Sequence, residues 1–115
     1  MSLVFSAITP HSPILLPKIG KGEEKKAKKT IKSLDELSDR ISDLNPDIII
    51  VLTPHGGLYE ESFTVNAHDN FKTNFSDFGD LDTKENWKGA PEFAAKLAHV
   101  AVQHDIPVQL NSDEI

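Results

Sequence analysis

No cysteine occurs in the 115 residues, which excludes disulfide staples and thiolate metal ligands and fits a reducing, cytoplasmic compartment. No apolar run approaches the roughly 20 residues that a membrane helix needs. The N-terminus lacks the basic region and apolar core of a secretory signal. Excess positive charge is also missing. Twelve Lys and Arg stand against 18 Asp and Glu, for a net charge of −6, so nucleic acid is not an expected partner. Apolar residues make up only 38% of the chain. That supports a modest core and one domain, expected over residues 1–115.

Against this sparse background one run stands out. Ile48 to Thr53 is apolar or β-branched without interruption and is followed by Pro54, His55, Gly56 and Gly57. Such a run suits a strand covered on both faces. Proline cannot donate to a ladder, so the strand is expected to stop there, with His55 just past its carboxyl end. Open α/β sheets bind ligands outside the carboxyl ends of their strands. The same grammar appears at the start, where Leu3 to Thr9 runs into Pro10 and His11. Thr-Pro-His therefore occurs twice. If the two strands were parallel neighbours, both imidazoles would stand on one rim of the sheet.

Between them, Gly22 to Leu44 reads as an amphipathic helix with its stripe at Ala27, Ile31, Leu34, Leu37, Ile41 and Leu44. Glu23 and Glu24 suit its first turn, and Asn45-Pro46 stops it. Strand, helix and strand predict a right-handed βαβ unit. Lysines 18, 21, 25, 26, 28, 29 and 32 crowd the helix start and read as a solvated face rather than an anion patch, given the acidic whole. Further on, Ser62 to Ala67 alternates like a half-exposed strand and leads into His68. Residues 69–89 read as a polar segment dotted with Phe71, Phe75, Phe78 and Trp87, either a binding loop or a short packing helix. Ala90 to His104 predicts a second helix buried along Phe93, Leu97, Val100 and Ala101, with Ala94 and Ala98 beside that stripe, followed by a short strand at Val108 to Leu110. The class is α/β, expected as a three-layer α/β/α arrangement with a parallel or mixed sheet.

Two imidazoles at adjacent strand ends form half of a metal site, because non-haem iron in oxygenases is commonly held by two histidines and a carboxylate. His11 and His55 are the candidate ligands. His68 is a weaker candidate, for an acid–base or supporting role. His99 and His104 read as surface residues. For a third ligand, Glu60, Glu61, Asp69, Asp113 and Glu114 are all available, and no spacing selects one.

Val4 to Pro13 together with Pro46 to Gly56 resembles the N-terminal part of the class III extradiol ring-cleavage dioxygenases, the LigB-like superfamily. Phe75-Ser76-Asp77-Phe78-Gly79 is similar to its MEMO-like branch, the AmmeMemoRadiSam system protein B group. The resemblance implies a three-layer fold and an Fe(II) cofactor on His11 and His55; Zn(II), which suits imidazole and stands above Fe(II) in the usual affinity order, is expected as a substitute. It further implies a glutamate ligand far downstream, a small catechol-like substrate beside Ser12 and Gly56, and a catalytic histidine in a later His-Gly pair. The chain is thus expected to be the N-terminal portion of such a domain, inactive by itself. The alternative implied by the second motif is a non-enzymatic binding or scaffold protein. A sheet edge near Leu110 predicts pairing with another chain, most simply as a twofold homo-oligomer.

Overall fold

The computed structural model describes residues 2–20, 25, 27–55 and 59–112. Contacts divide the chain into two compact units. One comprises Met1–Ile49 and Asn74–Thr83, the other Ile50–Thr73 and Lys84–Ile115.

In the first unit, a 3-10 turn at Pro13–Leu15 leads into the short helix α1, Pro17–Gly20. The main element is α2, Lys28–Leu44. Its expected start at Gly22 moves to Lys28, because Ala27 has non-helical angles (φ −104°, ψ 20°). Positions 22–24 and 26, including Glu23 and Glu24, lie outside the described residues. The helix ends as the sequence requires. Asn45 enters the left-handed region (φ 47°) and its N–H donates to the carbonyls of Ile41 and Ser42. Of the expected stripe, Ile31, Leu34, Leu37 and Ile41 are half-buried while Leu44 is exposed, and no residue of α2 is fully buried. Lys25, Lys28, Lys29 and Lys32 are exposed, as a solvated face should be. The Arg40 guanidinium lies over the Phe5 ring at 5.0 Å, so this helix holds the N-terminal segment by a cation–π contact.

The second unit contains the sheets. β1 (Phe63–Asn66) pairs in parallel with β4 (Val108–Asn111), with Phe63 opposite Val108 and Val65 opposite Leu110. The crossover between them contains α3, Pro91–Gln103, which packs against both strands. β2 (Asn70–Lys72) and β3 (Asn86–Lys88) form an antiparallel ribbon with Phe71 opposite Trp87. The class is α/β, with one parallel and one antiparallel pair.

Three expectations are corrected. Neither residues 3–9 nor residues 48–53 join a ladder among the described residues, and Leu3, Val4, Ile8 and Ile48 to Leu52 are exposed. A buried strand needs hydrogen-bonded neighbours on both sides, and composition alone does not supply them. The βαβ geometry is realised instead by β1, α3 and β4. Secondly, α3 buries the expected Ala101 together with Ala94, while Leu97 and Val100, also expected in the stripe, stay exposed. Small residues let the helix backbone approach the strands, so the buried stripe is rotated from the one that bulk suggests. Thirdly, residues 69–89 are neither a long loop nor a helix face, for Phe71 and Trp87 are cross-strand partners. No helix among the described residues is long and apolar enough to cross a membrane.

Candidate functional site

His11 follows Pro10 in the first unit and is exposed. The chain turns directly after it, because the Ser12 carbonyl accepts the Leu15 N–H at 3.2 Å. Ser12, a candidate substrate contact, caps this turn with its backbone while its side chain makes no capping hydrogen bond. His55 belongs to the second unit. It follows a bend at Pro54, and its N–H donates to Thr53 Oγ1 at 3.3 Å, so the threonine of this Thr-Pro-His motif turns the backbone that carries the imidazole. Gly56, the second candidate contact, lies outside the described residues.

His68 is the most firmly placed of the three. It is half-buried in the second unit and stands two residues after the end of β1. Its N–H donates to Asn66 Oδ1 at 3.0 Å. Just before it, Ala67 N–H donates to the Asn111 carbonyl at 2.9 Å and extends the β1–β4 pairing to the histidine. Just after it, the Gly89 N–H donates to the Asp69 carbonyl at 2.7 Å. A Cβ at position 89 would collide with the His68 carbonyl, so glycine is required by close approach there. The parallel pair and the ribbon thus fix His68 from both sides. His99 is exposed on α3 with its Nε2 at 3.3 Å from Gln103 Nε2, and His104 caps the helix, in keeping with surface roles.

His11 is held in one unit, and His55 and His68 in the other. Among the described residues no group of three His, Asp or Glu side chains is placed to hold a metal ion. Asp113 and Glu114 lie outside the described residues.

Asp80 is a buried carboxylate that sequence reading does not single out. Its Oδ1 accepts the N–H groups of Asp82 and Thr83, each at 3.0 Å, and its Oδ2 accepts the Thr83 hydroxyl. Asn74 Oδ1 likewise accepts from the Ser76 N–H at 3.0 Å and the Ser76 hydroxyl at 2.7 Å. Gly79, at φ 84°, closes the intervening 3-10 turn. Asp and Asn two or three residues before a polar donor are the local signal for such knots. Residues 74–83 form a loop pinned by its own side chains, with Phe78 and Leu81 exposed on it.

Comparison with known proteins agrees with the motif reading. The family described as the catalytic LigB subunit of aromatic ring-opening dioxygenase matches residues 6–115. Protein CA_C1420 of Clostridium acetobutylicum is 31% identical over 115 residues, which is 100% of this chain and 25% of that protein. The chain therefore spans a quarter of the length of the curated relative it matches. No solved structure matches it.

Proposed function

The chain belongs to the family of catalytic LigB subunits of aromatic ring-opening dioxygenases, and from that premise we propose that it supplies the imidazole part of a non-haem Fe(II) site for extradiol opening of catechol-type rings. One observation carries the proposal: the family match over residues 6–115 takes in both Thr-Pro-His segments. In this reading His11 and His55 are metal ligands, Ser12 and Gly56 border a small aromatic substrate, and His68 moves a proton.

A facial triad needs a carboxylate as well as two imidazoles. The described residues do not fit a complete iron site, because they bring no such group of three together. The chain by itself is therefore expected to hold Fe(II) weakly and to leave catechols intact. Zn²⁺ binds imidazole well and stands above Fe²⁺ in the usual affinity order, so it is the better probe. Calorimetry should show weak Zn²⁺ binding by the wild type and its loss in both His11→Ala and His55→Ala. Equal binding by all three proteins would remove these histidines from the metal and favour a non-enzymatic binding protein. Oxygen uptake with catechol after anaerobic Fe(II) loading would show instead that the chain completes the site.

A further inference from the structure

Of the three candidate histidines, His11 and His55 are exposed and His68 is half-buried. A metal ligand can be drawn into place by the ion it binds. A group that moves a proton has no ion to hold it, so the protein must fix it, to within about 0.5 Å of the productive position. What fixes His68 therefore bears on its role.

Three elements meet at this residue. Before it, the Ala67 N–H donates to the Asn111 carbonyl at 2.9 Å and ties the chain to β4. After it, the Asp69 carbonyl accepts the Gly89 N–H at 2.7 Å and ties the chain to the end of β3. Both bonds join backbone to backbone, and both belong to neighbours of the histidine. The N–H of His68 itself donates to Asn66 Oδ1 at 3.0 Å. There a side chain fixes the residue that carries the imidazole.

Asparagine is depleted in strands. Asn66 is exposed at the last position of β1, so core packing does not account for it. An asparagine oxygen that accepts an N–H two residues on closes a local turn. Such a turn sets the direction of the His68 Cα–Cβ bond as the chain leaves the strand. Asn66 stands opposite Asn111 at the carboxyl end of a parallel pair, the end at which open α/β sheets bind ligands. His55 shares the device, since its N–H donates to Thr53 Oγ1 at 3.3 Å. In His68 the device is joined to backbone bonds on both flanks.

We infer that Asn66 is a positioning residue for His68: its side-chain oxygen fixes the turn that aims the imidazole at the carboxyl end of the β1–β4 pair. The inference rests on the reading in which His68 moves a proton, and it adds the group that holds that histidine. Asn66 acts through the histidine and needs no contact with substrate.

The test reads the histidine directly, without metal or catechol. Asn66→Leu removes the acceptor at nearly the same size, and Asn66→Asp restores an oxygen in the same place. The α–β proton couplings of His68 report its χ1 rotamer by NMR. The wild type should give the unequal couplings of one staggered rotamer. Asn66→Leu should bring them toward the equal values of averaging rotamers. It should also quicken His68 amide exchange about two- to tenfold, the factor for one net hydrogen bond. Asn66→Asp should return both to wild type. Exchange at Ala67 should stay the same in all three proteins, because its bond to β4 does not involve the Asn66 side chain. Couplings unchanged in Asn66→Leu, or already averaged in the wild type, would overturn the inference. So would averaging that Asn66→Asp does not reverse, or loss of Ala67 protection in Asn66→Leu, since Asn66 would then merely end the strand. Equal zinc binding by the wild type and the His11 and His55 variants would sink the metal reading and leave the rotamer result standing, so the two failures are told apart.

Discussion

The carbonyl of His68 occupies the space that a side chain at position 89 would take, and the Gly89 N–H is bonded to the neighbouring Asp69 carbonyl. The last residue before α3's N-cap therefore holds in place a histidine that lies two strands away along the chain. Backbone on both sides leaves little slack. Gly89→Ala should cost about 1–3 kcal/mol, as overpacking does. Urea denaturation measures the loss, and movement of the His68 ring resonances would locate it.

Burial of α2 is partial, so its most apolar positions should be worth less than core leucines. Full Leu→Ala losses run at about 2–5 kcal/mol in cores. Leu34 is half-buried, and Leu34→Ala should cost about 1–2 kcal/mol, scaled from that range. Leu44, which is exposed, should cost less than Leu34 in the same denaturation series.

Asp80 serves three donors inside the loop at 74–83. Asp80→Ala leaves the Asp82 and Thr83 N–H groups and the Thr83 hydroxyl without that acceptor. The expected loss is about 1–3 kcal/mol, the cost of stranding partly buried donors. Hydrogen exchange should quicken at Asp82 and Thr83 and remain unchanged in α3. Protection unchanged at both residues would mean that the loop does not depend on this carboxylate.

The hydroxyl of Ser62 is buried with no hydrogen-bond partner among the described residues. An unsatisfied polar atom lowers stability, so its removal should help. Ser62→Ala should raise stability by up to about 1 kcal/mol. A loss of stability on thermal melting would reveal a partner for the hydroxyl.

Trp87 is the one tryptophan and stands opposite Phe71 on the ribbon. The pair should contribute about 0.5–1.5 kcal/mol beyond its area. Phe71→Ala should lower stability by that order and make Trp87 fluorescence more accessible to acrylamide.

Local signals were legible in the sequence. The stop of α2 at Asn45, both ends of α3, and the strands at 63–66 and 108–111 follow from proline geometry, capping and periodicity, which act over a few residues. Family membership was legible for the same reason, since it rests on short motifs in fixed order. The tertiary structure decided what depends on distant partners. On α3 it buried Ala94 along with the expected Ala101 and left Leu97 and Val100 exposed, because closeness to β1 and β4 outweighs side-chain bulk. It made Phe71 and Trp87 cross-strand neighbours across 15 intervening residues, and it placed Gly89 against His68. Among the described residues it also left the apolar run at 48–53 outside any strand ladder. Hydrophobic sequence states a demand for burial, but only the spatial arrangement of other strands determines whether that demand is met.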